Sequence, residues 1–251
     1  MQTVSESALS SDQIERYRQD GYLGPFQLCT EDEMAALRLR IAGEVFTTSS
    51  PWHGRPQQTR HLDNRLMYDL CTHPAILDRM ACIFGPDLLL WQSNFFNKEA
   101  GDKAYPWHQD INYWPIEPAL NISAWVAVTD ASRAAGCLRV IPGSHKAPRP
   151  HVRKDDPRYS TIFRGEQADP DHVDESAAIE LPMRPGEFVL FNEKMLHSSG
   201  PNETDQPRLG LAVRVTIPMV KVYHDHPVIL VRGEDRIGCN DLASPPEGKG
   251  L

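Results

Sequence analysis

A mainly β fold with helices gathered at its N-terminal end, a β-sandwich or jelly roll, is the architecture the sequence predicts. Helix start signals and three-to-four-residue apolar spacing are confined to residues 10–86. From residue 87 to about 235 the texture changes to short apolar segments punctuated by turn residues. No repeat, low-complexity tract or linker divides the 251 residues, so one domain over 1–251 is expected.

The elements follow in order. Ser10 and Gln13 form a capping box, Ile14 and Tyr17 follow on one side, and Gly21 stops the first helix. Thr30 and Glu33 form a second box, after which Met34, Leu37, Ile41 and Val45 make an apolar face. His73 and Pro74 open a third helix, with Ile76, Leu77, Met80, Ile83 and Phe84 on its buried side, and Gly85 and Pro86 end it. Strands are expected at 88–97, 105–114, 121–129, 137–141, 187–192, 209–217 and 227–232. Turn residues at 101–102, 142–143, 185–186 and 200–202 separate them. Residues 146–178, rich in Pro, Asp and Arg, form so long a connection that a lid or binding loop is expected there.

Composition narrows the function. Hydrophobic residues at 40% and charged residues at 24% suit a folded domain, and no apolar run nears the ~18 residues of a membrane helix. A net charge of −8 argues against a nucleic-acid or anionic-membrane partner. It leaves room for a small anion held by one or two buried arginines. The five cysteines are widely spaced with no CxxC pair, and the first residues lack a secretory pattern, so a reduced, cytoplasmic protein is expected. No feature of the sequence speaks to the oligomeric state.

Chemistry concentrates in the histidines. His-x-Asp on a strand puts two metal ligands on one face, and the chain has three such pairs: His61/Asp63, His108/Asp110 and His172/Asp174. With ten histidines the pattern alone is weak. Context favours His108/Asp110, set in the aromatic segment 106–114, over the polar surroundings of the first pair and the charged loop of the third. A facial triad for non-haem iron needs one more histidine, and His197 follows a predicted strand. On the next strand Arg208, Gly210, Ala212 and Arg214 share one face, opposite Leu209, Leu211, Val213 and Val215. Two arginines among two very small residues suit a carboxylate ligand; two half-exposed arginines on a sheet edge would read the same way.

These segments resemble the phytanoyl-CoA hydroxylase-like family of iron(II)- and 2-oxoglutarate-dependent dioxygenases. The matching stretches are 107–114, 123–128, 136–145 and 196–201, then Pro207-Arg208, with Asp20, Gly21 and Tyr22 near the start. The likeness runs from about residue 12 to 235. It implies a double-stranded β-helix, the cupin-like jelly roll. It also implies His108, Asp110 and His197 as iron ligands, with 2-oxoglutarate and oxygen as co-substrates and ascorbate as a supporting reductant. Arg208 corresponds to the arginine that binds the distal carboxylate of 2-oxoglutarate. Ser199 matches an assisting hydroxyl, Trp125 a pocket wall, and Gln92 a polar contact on the preceding strand. The turn from Gly136 to His145 reads as support, with Cys137 a small buried residue. In related halogenases Ala or Gly replaces the carboxylate, so Asp110 points to hydroxylation or another oxidation.

For the substrate, Asn112 and Trp114 continue from the ligand pair and Arg214 shares the face of Arg208; packing for Trp114 and a structural ion pair for Arg214 compete with that reading. A free metabolite or natural-product intermediate is expected, since no basic cluster suits a CoA tail. An acyl-CoA or carrier-bound substrate is the alternative. A jelly-roll metal-binding protein without turnover is the alternative of another class, and a sugar- or nucleic-acid-binding β-sandwich a third.

Overall fold

The structure, a computed structural model, describes residues 7–52, 54–160 and 165–251. Its elements run α1 (Ser11–Asp20), β1 (Tyr22–Gln27), α2 (Glu31–Arg40), α3 (Arg65–Cys71), α4 (Pro74–Phe84), β2 (Leu88–Lys98), β3 (Tyr105–His108), β4 (Ile116–Glu117) and β5 (Ile122–Ala127). They continue with β6 (Leu138–Val140), β7 (His151–Arg153), β8 (Glu166–Ala168), β9 (Ile179–Leu181), β10 (Glu187–Asn192), β11 (His197–Ser199), β12 (Arg208–Thr216), β13 (Lys221–Val222) and β14 (Ile229–Arg232).

Local chemistry explains the helix ends. Both capping boxes form, Ser10 with Gln13 and Thr30 with Glu33, and Gly21 takes the left-handed conformation that closes α1. α2 passes into a π-helical turn, Ile41–Val45, which keeps Met34, Ile41 and Val45 in the core. Pro74 sits in the first turn of α4 as expected.

The strands form a six-stranded antiparallel sheet, ordered β1-β10-β5-β12-β2-β14, and a four-stranded one, β3-β11-β6-β9. This two-sheet antiparallel arrangement is the cupin-like jelly roll. Pleating divides the large sheet. Ala124, Val126, Phe188, Leu190, Leu209, Leu211, Val213 and Val215 pack with Met34, Leu66, Leu70, Ile76 and Met80 of the helices. Trp125, Ala127, Val189, Phe191 and Ala212 face the other way and pack with Leu138, Val140 and Leu181 of the small sheet.

Several expectations need correction. The first third is not wholly helical: after Gly21 the chain adds β1 to the sheet edge by pairing with β10. α3 was not expected either; the Asn64 side chain caps it by accepting from the Met67 amide at 3.0 Å. The expected strand 105–114 stops at His108, and Asp110–Asn112 is a 3-10 turn. The buried Gln109 side chain bends the chain there, bonded to the carbonyls of Ala147 and Lys194 and to the Arg149 amide. Segment 146–178 is not featureless: it carries the β7–β8 pair and two 3-10 turns, with residues 161–164 outside the described ones. Among the described residues no helix is long and apolar enough to cross a membrane, and all five cysteines are unbridged.

Candidate metal centre and anion pocket

His108 ends β3 and His197 begins β11, and the two are register partners across the small sheet, with ring centroids 4.0 Å apart. The turn at residue 110 swings Asp110 beneath them: its Oδ1 lies 3.7 Å from His108 Nε2 and 3.9 Å from His197 Nε2. One ligand atom from each of the three falls within 4.8 Å of the others, and all three residues are buried. No other group of three or more such side chains meets this condition among the described residues.

The protonation state suits a metal. His108 Nδ1 bonds to the Pro106 carbonyl at 2.9 Å and His197 Nδ1 to the Met195 carbonyl at 3.0 Å. A carbonyl only accepts, so each Nδ1 carries a proton and Nε2 is left as the nitrogen that faces Asp110. Burial, and then the neighbouring His197, hold the His108 pKa well below the ordinary histidine value, so its ring stays neutral. Two imidazoles and one carboxylate lining a cavity of about 710 Å³ fit a ferrous ion with one face left open.

The same cavity reaches a cationic end. β12 lies between β2 and β5, not at an edge, and Arg208 is 2% exposed. Its Nη1 donates to the Gly136 carbonyl at 3.0 Å, its guanidinium lies 5.1 Å from the Trp125 ring centre, and its Nε has no partner. Trp125 presses flat enough on β12 that a Cβ at Gly210 would fall 2.0 Å from the indole. Only glycine permits that approach. Gly210, one of the small residues on this face, therefore makes room for a ring.

Ser199 lines the cavity, yet its hydroxyl is already engaged. The fully buried Lys98 donates to Ser199 Oγ at 3.0 Å, to the Lys103 carbonyl at 3.1 Å and to the Gly200 carbonyl. Burial, and then Arg208, pull the Lys98 pKa down to about 7. Neither Lys98 nor Arg208 lies within ion-pair distance of a carboxylate among the described residues. Arg208 thus brings a buried positive charge to the cavity wall, and Lys98 stands behind it, bonded through Ser199. Sequence reasoning missed Lys98. Its signal was a lysine inside the otherwise apolar and amide-rich segment 88–98.

The other expected residues divide. Gln92, Trp114 and Arg214 line the cavity. Gln92 Oε1 accepts from Arg214 Nη1 at 2.9 Å, and Trp114 packs edge-on against Trp91 with centroids 5.4 Å apart. Asn112 is exposed at the end of the 3-10 turn and does not line the cavity, because that turn breaks the alternation that would have pointed it inward. The remaining His-x-Asp pairs lie elsewhere: His61 bonds Ser93 Oγ at 2.8 Å, while Asp63 pairs with Arg60. His172 pairs with Asp169 at 3.4 Å, and Asp174 caps a turn at Ser176. Gln109 went unnoticed, though it ties the ligand turn to segment 147–149. Arg153 and Glu166 of β7 and β8 bring segment 146–178 to the cavity wall.

A family model described as Phytanoyl-CoA dioxygenase (PhyH) matches residues 17–210. The chain belongs to the phytanoyl-CoA dioxygenase family. Iron(II) as metal, with 2-oxoglutarate and oxygen as co-substrates, and the dioxygenase class of reaction come with that membership. The peroxisomal phytanoyl-CoA dioxygenase of Homo sapiens is 28% identical over 239 residues, covering 84% of this chain and 69% of the relative. The ectoine dioxygenase of Bordetella parapertussis is 25% identical over 235 residues, covering 81% of this chain and 74% of the relative. The chain spans 63% to 69% of the length of the four mammalian dioxygenases it matches. The apo structure of ThoJ, a non-haem monooxygenase, superposes with a TM-score of 0.82 at 30% identity, over 94% of this chain and 89% of that one. The structure of CytC3 with Fe(II) and alpha-ketoglutarate gives 0.76 at 24% identity over 96% of each chain, a likeness of fold.

Proposed function

We propose that this phytanoyl-CoA dioxygenase family member hydroxylates an unactivated C–H bond of a free small molecule. The observation that carries the reading is the convergence, in one cavity, of His108, Asp110 and His197 with Arg208. A passive metal site needs no buried guanidinium beside it. Bound iron(II) supplies the oxidising chemistry, in which 2-oxoglutarate and oxygen give succinate, carbon dioxide and the oxidised substrate.

The protein's own part follows from the geometry. His108 and His197 would hold the metal through their Nε2 atoms, and Asp110 would add the single negative charge, the carboxylate that a halogenase lacks. Arg208 would donate to the far carboxylate of the diacid, with Trp125 as a wall and Ser199, held by Lys98, beside it. Phe191, Leu138 and Ala212 give the cavity an apolar lining. Gln92 and Trp114 belong to the substrate end. A reducing compartment such as the cytoplasm suits five unbridged cysteines.

The test is anaerobic addition of iron(II) and 2-oxoglutarate, followed by air. A metal-to-ligand charge-transfer band and then succinate are the expected results. A protein that binds metal but shows neither is the non-catalytic jelly roll. Stimulation of succinate release by an acyl-CoA, and not by the free acid, would replace the free-metabolite reading with the carrier-bound one.

A further inference from the structure

The whole molecule carries an excess of acidic charge, yet its cavity wall does not. Arg55, Arg153 and Arg214 line the substrate end, against Glu166. Asp110 also lines the cavity, but its charge belongs to the metal centre. With a divalent ion and the dianion of 2-oxoglutarate bound, the charges of ion, Asp110, diacid and Arg208 cancel. Lys98 lies behind Ser199 and does not line the cavity. What remains facing the open space is a positive wall whose innermost member is Arg214.

Arg214 is 4% exposed and its Nε has no hydrogen-bond partner. Nη1 donates to Gln92 at 2.9 Å, and Asn94, in the amide orientation that satisfies both its atoms, accepts at 3.1 Å. Trp114 lies 4.8 Å from the guanidinium. Its nearest carboxylate is Asp110 Oδ2 at 3.8 Å, an ion pair but longer than a hydrogen bond. Burying a guanidinium without a matched anion is costly. A metal at Asp110 draws away much of the charge that offsets it. The family match ends at residue 210, so Arg214 lies outside it.

We infer that the molecule oxidised carries an oxyanion group, a carboxylate, that seats against Arg214 while its reacting carbon faces the His108, Asp110 and His197 centre. This rests on the dioxygenase reading above. The fork of Arg214 matches a planar carboxylate, and the indole of Trp114 covers the adjoining apolar part of the ligand. Arg55 and Arg153, both exposed, draw the anion in from solvent.

Two arms test this on protein loaded with zinc and 2-oxoglutarate, so that Arg208 is already engaged. The first compares quenching of tryptophan fluorescence by iodide and by caesium, in a Trp52→Phe background that removes the exposed indole at 42% exposure. Iodide is expected to quench about threefold or more better than caesium. Arg153→Gln should lower that preference in part, Arg214→Met should bring it near unity, and Arg214→Lys should retain most of it. Equal quenching by the two ions in the parent protein overturns the inference, whether or not a substrate has been found. The second arm measures succinate release by the iron enzyme over a panel of aliphatic and aromatic carboxylates, each paired with its primary amide and its monophosphate counterpart. Acids that stimulate at least about tenfold better than their amides support the inference. Better stimulation by phosphates moves the assignment to a phosphorylated substrate, and amides or amines as the best stimulants overturn it. Absence of 2-oxoglutarate binding in the parent protein is a different failure, that of the dioxygenase reading itself.

Discussion

The two faces of β12 do opposite things with the same nine residues. Leu209, Leu211, Val213 and Val215 sit under the helices in the main core, whereas Arg208 and Arg214 are buried on the cavity face with bonding capacity left over. The first face gains free energy from burial. The second carries the cost of burying charge, which the ligands proposed above would offset. Stability and function are thus separated by the thickness of one strand, a consequence of the two-residue pleat.

Metal removal should have the largest effect and touch only the cavity face. Chelation is expected to abolish succinate release and leave the unfolding midpoint within a few degrees of the parent, as followed by circular dichroism. Collapse of the fold on chelation would break the separation. Leu211→Ala comes next: the lost burial costs about 2–5 kcal/mol of unfolding free energy in denaturant titration, while the folded fraction keeps its 2-oxoglutarate affinity. Arg208→Met should do the reverse. Loss of a charged hydrogen-bond pair, about 1.5–3 kcal/mol, weakens 2-oxoglutarate binding by roughly 10- to 150-fold in calorimetry with stability unchanged or raised. Gly210→Ala should disturb both, because the new methyl group must displace Trp125; a cost of about 1–3 kcal/mol and a distorted anion pocket are expected.

The smallest effect is a pH dependence, and it sharpens the comparison. Lys98, pulled down to about 7, is charged below that pH and neutral above it. Charged, it holds Ser199 and adds to the field of Arg208. The affinity of zinc-loaded protein for 2-oxoglutarate should therefore fall as pH rises through about 7, with the midpoint moved upward once the dianion is bound. Lys98→Met should be flat over the same range. A parent protein as flat as that variant would leave Lys98 a packing residue.

The sequence by itself determined the helix caps at Ser10, Thr30 and Pro74, the strand at 187–192 and the identity of His108, Asp110, His197 and Arg208 as a related set, because each rests on local chemistry or on ordered motifs. It could not show that 105–114 breaks at Gln109, since the carbonyls that bend the chain come from residues 147 and 194. It could not show the pairing of β1 either, since its partner lies more than 160 residues away at Phe188–Phe191. Whether the β12 arginines were edge residues or buried on the cavity face depended on strand order, and strand order exists only when the sheets assemble. Lys98 shows the same division most plainly: as a letter it is one of seven lysines, and only burial beside Arg208 lowers its pKa and fixes it on Ser199.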